Sequence, residues 1–482
     1  MSFVLPARRQ LPTGYVIEFI TDVQGNWSYF CNLVQWSRYL GWKEEDPAGL
    51  ILKPGCLLVF GGGVVDRGTA DIRIARALVI LQREYPERVH LLLGSRDVSK
   101  LRFAAELDTD VADDLGADAV SSDQGADMSF AEFLSRQNHS SPTVINRLRW
   151  ILVHTMDCPN GVEAREVELR TLGRPVSDDE VVHSYRELVQ PGGVDAWLLA
   201  YIKVASVILA IGDCLFVNGG VRSSGLLRLP AEDCREGSAK LQPPSTVLPI
   251  GSSLDLWAFE LDSWKERQLR IFESFPKFIR LADEPRSEMW RGGQPLMMPF
   301  LSGCWVMTDC YLENGNCCPL EADVAAFLAT NGVTRVFAGR APQGDAPYLI
   351  RSTEARVTVL CADTSYSDPA ADRTVNPCNY RGKAVSMVTV DKEKTVVVGV
   401  LADGTRHGYT LNVDWAQDTL GASVLGRCLD NGAWAKTVVG EYVQSCLGRG
   451  VQQQVQLAAA EVVASRIQQA WALDRPKWPF SK

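Results

Sequence analysis

In the first hundred residues, short apolar runs typical of buried strands alternate with segments whose hydrophobic residues have helical spacing. Short apolar runs that end in Gly, Asp or Arg predict buried strands, each followed by a polar loop; they read GYVIEFITDVQG, CLLVFGGG and RVHLLLGSRD. Between them, NWSYFCNLVQWSRYL and ADIRIARALVILQREY carry apolar residues at helical spacing. This β-α-β-α-β order predicts parallel strands with helices on their faces, so functional loops are expected at the carboxyl ends of the strands.

Further along, the pattern predicts helices first and strands afterwards. Mainly helical segments are predicted for INRLRWILVHTM and VDAWLLAYIKVASVILAIG, and strands that end in glycine loops for CLFVNGG and TRVFAGRAPQG. Alternation and turn residues then predict a second, more antiparallel sheet from ARVTVLCADTS, KAVSMVTVD and KTVVVGVLADGTRHGYTLNV. The stretch VQQQVQLAAAEVVASRIQQAWAL predicts a long C-terminal helix.

Composition narrows the class of protein. A net charge of -9 argues against a general nucleic-acid or anionic-membrane binder. No segment approaches about 18 apolar residues without a charge, so no direct membrane span is predicted. The 13 cysteines are irregularly spaced, which indicates reduced thiols of an intracellular protein.

One segment, about residues 106–132, differs in charge from the rest. Nine acidic residues and no Lys or Arg lie between Arg102 and Arg136. The segment is interpreted as a solvated acidic insertion, with partner binding as the alternative.

Five strand-end loops follow one another along the chain: Asp22-Val23-Gln24-Gly25-Asn26, Gly62-Gly63-Val64-Val65-Asp66-Arg67-Gly68, Gly94-Ser95-Arg96-Asp97, Val217-Asn218-Gly219-Gly220 and Gly339-Arg340-Ala341-Pro342-Gln343. Their order and spacing resemble the calcineurin-like metallophosphoesterases, in the branch of the phosphoprotein (serine/threonine) phosphatases and near a subgroup of protists and algae. That family's pattern is DxHG, GDxxDRG, GNHE, a His-Gly-Gly element and GH.

The resemblance implies an α/β fold of four layers, an α/β/β/α sandwich of two mixed sheets, plus a C-terminal helix. The phosphoesterase-type domain is expected over residues 15–412. Residues 413–482 would form a C-terminal extension with the long helix, which is a candidate docking element. Tryptophans Trp434, Trp471 and Trp478 lie in that extension, either as interface anchors or as residues that pack on the core.

The resemblance also implies a two-metal centre that activates water for attack on a phosphate ester. Of the matching ligand positions, Asp22 alone keeps its expected type. Gly63 stands where the family has the aspartate that bridges both metals. Neutral or cationic residues stand where the family has its other ligands; they are Gln24, Ser95, Asn218 and Arg340.

Other residues of the family pattern remain. Asp66 matches an aspartate that supports the site, Arg96 the general-acid position, and Asp97 completes the third loop. Candidate anion-binding residues are Arg67, Arg96, Arg291 and Arg340. In the alternative interpretation these cations replace the missing metal charge, with Arg340 paired to Asp22 and Arg96 paired to Asp66 or Asp97.

These residues predict a pseudoenzyme, a catalytically inactive pseudophosphatase without a metal cofactor. It would serve as a structural or scaffolding subunit of a protein complex, in the mitochondrion or the cytoplasm, with other protein subunits as partners and no nucleic acid. Two alternatives remain: a metal-free phosphate or nucleotide binder, and a residual phosphatase that uses an unusual single metal.

Overall fold

A computed structural model describes most of the chain. The described residues are 7–46, 49–108, 128–136, 141–233, 246–280, 289–364, 384–448 and 453–467.

The principal strands are, in chain order, β1 (Val16–Ile20), β2 (Cys56–Phe60), β3 (Val89–Leu91), β4 (Ile208–Ile211), β5 (Cys214–Val217), β6 (Arg335–Ala338), β7 (Tyr348–Ser352), β8 (Val357–Cys361), β9 (Val385–Val390), β10 (Lys394–Val400), β11 (Arg406–Asn412), β12 (Trp434–Val439), β13 (Tyr442–Leu447) and β14 (Gln454–Ala459). Short antiparallel pairs join Leu40–Trp42 to Leu50–Leu52, Arg228–Leu229 to Thr246–Val247, Ile279–Arg280 to Met289–Trp290, and Leu312–Glu313 to Asn316–Cys317.

The α-helices are α1 (Trp27–Trp36), α2 (Asp71–Glu84), α3 (Ser95–Ser99), α4 (Phe103–Glu106), α5 (Phe130–Arg136), α6 (Val144–His154), α7 (Gly161–Thr171), α8 (Asp178–Glu187), α9 (Trp197–Val204), α10 (Leu254–Ser274), α11 (Gln294–Met297), α12 (Pro299–Ser302), α13 (Trp305–Thr308), α14 (Ala322–Thr330), α15 (Leu420–Val424) and α16 (Ala460–Ser465). Two 3-10 turns span Lys100–Arg102 and Trp415–Gln417.

The first sheet is mixed and has the order β11-β10-β9-β1-β2-β3. Strands β1, β2 and β3 are parallel, as the β-α-β-α-β pattern predicts, and β9 pairs antiparallel with the other side of β1. The parallel half therefore carries its loops on one edge, where α1 and α2 begin their crossovers.

The second sheet has the order β7-β8-β6-β5-β4. Its central strands β5, β6 and β8 are parallel, and the edge strands β4 and β7 are antiparallel to their neighbours. Like the first sheet, it gathers the carboxyl ends of its central strands on one edge.

Aromatic side chains join the two sheets face to face. The ring of Phe19 on β1 lies 5.6 Å from that of Phe216 on β5 and 5.9 Å from that of Phe337 on β6. All three side chains are buried in a core that both sheets share. Alternate residues on the same strands face outward, where α1 and α2 cover the first sheet and α10 and α14 cover the second. The four-layer α/β/β/α sandwich is therefore confirmed.

A contact with helix α7 stabilises the N-terminus of the long helix α2. No side chain at Ala70 caps it, and Glu168 of α7 instead accepts the backbone N–H groups of Ile72 and Arg73 at 2.9 and 3.1 Å. A carboxylate at this end also suits the helix dipole. Helix α2 follows directly on the second strand-end loop, so this contact also positions that loop.

Two predictions about secondary structure are wrong in part. Residues 194–212 form α9 and then strand β4, not one helix. The late alternating segments do not form a separate sheet, because β9, β10 and β11 extend the first sheet while β8 joins the second. Alternation marks a strand, but strand pairing over long sequence separations decides its sheet.

The C-terminal segment also differs from prediction. Gln454–Ala459 is strand β14, paired antiparallel with β13, and the helix that follows, α16, spans Ala460–Ser465. Pairing with β13 overrides the helix propensity of the Ala- and Gln-rich stretch. The prediction of one long helix over this part is therefore wrong, and residues 468–482, with Trp471 and Trp478, lie outside the described residues. The domain boundary at 412 stays a prediction.

Trp434 on β12 is a core residue and not a docking residue. It is buried, and its indole N–H donates to the carbonyl of Leu349. The sheet of β12, β13 and β14 packs on β11 and β7 through this side chain and its neighbours.

The acidic segment begins differently from its prediction. Glu106 ends helix α4, and both it and Asp108 are buried; Phe130 opens helix α5. Residues 109–127 lie outside the described residues, so the solvated insertion stays a prediction there. None of the helices in the described ranges has the length and apolar character of a membrane span.

Candidate functional site

The carboxyl ends of the central strands of both sheets meet at one cleft. Main-chain bonds join their loops: Asp22 N–H donates to Gly62 O and Gln24 N–H to Gly63 O, each at 2.8 Å. The cleft has a volume of about 1050 Å³. Eight of the nine residues of the site predicted from the sequence line it: Asp22, Gln24, Gly63, Asp66, Ser95, Arg96, Asn218 and Arg340.

Asp22 lies at the centre of this cleft and is buried. Its Oδ2 accepts the Thr21 hydroxyl at 2.6 Å and the backbone N–H of Arg340 at 2.7 Å. The carboxylate thus holds the loop after β1 against the loop after β6, which belongs to the other sheet.

Because Gly63 has no side chain, the Asp22 carboxylate can occupy the space beside it. A Cβ at position 63 would lie 2.4 Å from Asp22 Oδ1 and 2.9 Å from its Cα. The φ angle of Gly63 is +71°, which L-residues with a side chain rarely adopt. Position 63 therefore has neither the space nor the backbone conformation for an aspartate while Asp22 keeps its place.

Two amide side chains stand near Asp22. Asn218 Nδ2 donates to the carbonyl of Gly61 at 2.7 Å and lies 3.5 Å from Asp22 Oδ2. Gln24 is also buried and lines the cleft. The Asn218 amide therefore serves the packing between β5 and β2.

Asp97 takes a role that the sequence did not predict. It is fully buried below the cleft, where Oδ2 accepts the N–H groups of Gly63 at 2.9 Å and Gly94 at 3.0 Å, and Oδ1 accepts that of Val64 at 2.8 Å. Burial raises the pKa of Asp97 to about 6, against the lowering effect of these N–H groups. Its predicted pairing with Arg96 is wrong, because backbone amides occupy its carboxylate.

Arg96 pairs instead with Asp66, the other partner that the sequence proposed. Its Nη1 lies 2.6 Å from Asp66 Oδ2, and Lys100 Nζ lies 3.0 Å from Oδ1. Burial alone would raise the pKa of Asp66, but Lys100 and Arg96 lower it below its usual value. Lys100 was missed, although its position four residues after Arg96 places both on one helical face.

Arg340 contacts Asp22 in a different way from the predicted ion pair. Its backbone N–H makes the bond, while its guanidinium lies over the ring of Phe300, 5.3 Å from the ring centre. Burial lowers the pKa of Arg340, and the like charge of Arg96 lowers it further.

The four candidate anion-binding arginines do not converge on one pocket. Arg96 and Arg340 line the cleft, whereas Arg67 forms an ion pair with Asp157. Arg291 is buried against Glu106 at 2.6 Å, with the ring of Phe278 4.8 Å away. Arg291 therefore lies away from the cleft lining, whereas Arg67 contacts the cleft through Asp157, whose Oδ2 also lies 3.8 Å from Arg96 Nη2.

Unusual backbone conformations concentrate at this cleft. In the described part of the chain, eight non-glycine residues have a positive φ, and five of these line the cleft: Asp22, Gln24, Asp66, Asp157 and Arg340. Such conformations cost energy and persist where surrounding contacts enforce them, typically at functional sites.

One wall of the cleft is largely apolar, and no sequence pattern predicted it. Met297, Met298 and Leu301 line it, and Phe300 is 57% exposed beside them. They lie on the short helices α11 and α12 and, for Met298, at the junction between them, and these helices have too few residues to show a clear hydrophobic period. Across the described ranges, no three His, Cys, Asp or Glu side chains are grouped as a metal ion would require.

We expect Gly63→Asp to destabilise the protein instead of rebuilding a metal site. The new side chain meets Asp22 and a positive φ, so the free energy of unfolding falls by about 1–3 kcal/mol more than in the control. The matched control is Gly173→Asp, where φ is +68° and nothing lies within 4 Å of the added Cβ. Urea unfolding measures both variants. Equal losses in the two variants would contradict the close fit of Asp22 against Gly63.

We expect Asp66→Asn to lower stability at neutral pH by about 3–5 kcal/mol, because it leaves Lys100 and Arg96 facing a neutral group. The folded-state pKa of Asp66 is lowered, so its contribution is complete above the unfolded pKa of about 3.9 and is lost as pH falls through the folded value. The gap between wild type and variant should therefore shrink below about pH 4.

Unfolding curves at several pH values measure this gap. The control is Glu84→Gln in the half-exposed pair of Lys43 and Glu84, which should cost under about 1 kcal/mol. A gap as small as the control's, or one that does not change with pH, would contradict the role of this buried cluster.

No family model matches the chain, and no curated protein matches it. Among solved structures, a cold-active protein-tyrosine phosphatase of a psychrophilic Shewanella species is 14% identical, with 83% of each chain covered and a TM-score of 0.35.

A protein serine/threonine phosphatase from Saccharomyces cerevisiae is 10% identical, with 80% of this chain and 73% of the other covered and a TM-score of 0.30. Both neighbours are phosphatases by description. The fold of this chain rests on its own strand order and layers, described above.

Proposed function

We propose that this chain is a catalytically inactive pseudophosphatase that serves as a structural subunit of a larger protein assembly. The proposal starts from the resemblance of its five loops to the phosphoprotein phosphatases. In the folded chain these loops gather around one cleft, as catalytic loops do in α/β folds.

The contacts of Asp22 are the observation that carries the proposal. In a two-metal site this carboxylate would face cations and a bridging aspartate would stand beside it. Here its Oδ2 is bonded to Thr21 and to the backbone of Arg340, and its Oδ1 fills the space that a side chain at position 63 would need. The residues around Asp22 therefore do not fit a pair of divalent ions.

Protein cations supply the positive charge that a metal would bring. Asp66 is held by Lys100 and Arg96, and Arg340 stands where the family pattern has a metal-binding histidine. Asn218 stands at another histidine position and donates to a backbone carbonyl. These contacts stabilise the fold of the loops and engage groups that a metal-dependent hydrolase would need for its metal ions, which supports the proposal.

Exposed apolar residues on the C-terminal sheet support a role in assembly. Tyr442, Val455, Leu457 and Val462 are each about half exposed and lie on β13, β14 and α16. Apolar side chains grouped on a surface mark protein contacts. A mitochondrial complex or a cytoplasmic structure remains the predicted setting.

The absence of catalysis is tested with the purified chain. We expect no stoichiometric Mn, Fe or Zn by elemental analysis and no hydrolysis of p-nitrophenyl phosphate above buffer after metal addition, because Gly63 and Arg340 stand where two further metal ligands would be needed. The control is Asp22→Asn, since activity shared with this variant is contamination. Metal-dependent turnover that disappears in Asp22→Asn would establish the residual-phosphatase alternative and refute the proposal.

The assembly role is tested in extracts of the source cells. We expect the chain to elute in size-exclusion chromatography well above its own 53.1 kDa. A tagged Leu457→Asp variant should shift toward the monomer, because a charge would enter an apolar contact. Val194→Asp changes a residue that is 91% exposed elsewhere and should leave the profile unchanged. A wild-type chain that elutes as a monomer would refute the scaffold role.

A further inference from the structure

The guanidinium of Arg340 is a cation without a direct anionic partner. Within the described part of the chain it makes no hydrogen bond or ion pair, and its recorded neighbour is the Phe300 ring. Asp22 and Asp309 attract it at longer range, and Arg96 repels it. A partly buried arginine in this position gains free energy when an oxyanion binds in its fork.

Gln24 provides an unsatisfied hydrogen-bond acceptor in the same cleft. Its Oε1 is buried and accepts no hydrogen bond from any described residue, and the side chain is only 4% exposed. A buried acceptor without a donor is unfavourable, so a ligand that brings an N–H or O–H group to this oxygen would bind more tightly.

The opposite wall supplies apolar contact. Met297 and Met298 are buried side chains on the cleft surface, and Leu301 and Phe300 continue the wall toward solvent. Methionine adapts its shape to flat or irregular ligands, and aromatic rings stack on one another. A volume of about 1050 Å³ is at the upper end of the range for small-molecule sites.

We propose that the cleft binds, without any metal, a small aromatic or apolar monocarboxylate that carries a hydrogen-bond donor. The carboxylate binds the guanidinium of Arg340, the donor binds Gln24 Oε1, and the apolar body packs on Met297, Met298 and Phe300. This inference goes beyond the proposed function, because a structural subunit needs no ligand.

The charges favour a monocarboxylate over a phosphate. Of the two guanidinium groups that line the cleft, Arg96 is already paired with Asp66, and among the described residues no anion pairs with Arg340. Lys100 and Arg96 already compensate Asp66, so a phosphate with two negative charges would have only the guanidinium of Arg340 to compensate it and would share the cleft with the Asp22 carboxylate. Like charges in one cleft oppose binding, so a single negative charge is the better match.

Isothermal titration in buffer with EDTA tests the proposal, with 4-hydroxyphenylacetate as the probe. Its carboxylate, ring and hydroxyl correspond to the three features of the cleft. We expect saturable binding at one site, weaker binding of phenylacetate, which lacks the hydroxyl, and no binding of the neutral methyl ester. Inorganic phosphate should bind more weakly than the probe.

Variants locate the site. Arg340→Gln should weaken binding by about tenfold or more, the loss expected for a charge-assisted hydrogen bond. The matched control is Arg356→Gln, which changes an exposed arginine that also has a positive φ, +55°. Phe300→Ala changes an exposed side chain and should also weaken binding, so it tests the site even where Arg340→Gln fails to fold.

Three results would overturn the proposal. They are failure of 4-hydroxyphenylacetate to bind the wild type, unchanged affinity in folded Arg340→Gln or in Phe300→Ala, and inorganic phosphate that binds as tightly as the probe. The last result would identify a phosphate site. Because every titration contains EDTA, binding here and metal-dependent turnover are separate measurements, and either can fail without the other.

Discussion

The carboxylate of Asp97 is the interaction on which the candidate site depends. It lies beneath the cleft and accepts the backbone N–H groups of Gly63, Val64 and Gly94, so it joins the loop after β2 to the loop after β3. Its buried oxygens meet amides that would otherwise lack acceptors. Since the donors to Asp97 are all backbone N–H groups, these hydrogen bonds hold the two loops together independently of the side chains that line the cleft. The shape of the cleft therefore depends on this buried carboxylate more than on the side chains that line the cleft.

In the cleft, two kinds of contact stabilise the buried carboxylates. Asp66 receives two full positive charges, from Lys100 and Arg96, and its pKa falls. Asp22 receives a hydroxyl and a backbone amide, and packs against Gly63. Among the described residues, the guanidinium of Arg340 has no anion paired with it. It lines a large cleft that has an apolar wall. The same arrangement thus supports both a non-catalytic role and an organic ligand.

Much of the site could be predicted because it lies on loops that follow strands. Apolar runs located β1, β2, β3, β5 and β6, and parallel strands bring their following residues to one edge. What could not be predicted is which side chain meets which. Asp97 and Arg96 are adjacent in sequence, yet one turns down to backbone amides and the other turns up to Asp66. Arg291 and Glu106 are 185 residues apart, and no local pattern indicates that they pair.

By itself the sequence determined the strand-end loops, their order and the residue types that stand at each of them, because these follow from periodicity and from the ends of strands. The four layers were implied by the family resemblance of those loops. Tertiary structure alone decided that β9, β10 and β11 complete the first sheet, that Gln454–Ala459 pairs as a strand, and that Met297 and Met298 wall the cleft. Those outcomes depend on pairing and packing between segments far apart in the chain. Such contacts are chosen by the total area buried and the hydrogen bonds completed, which no single stretch of sequence contains.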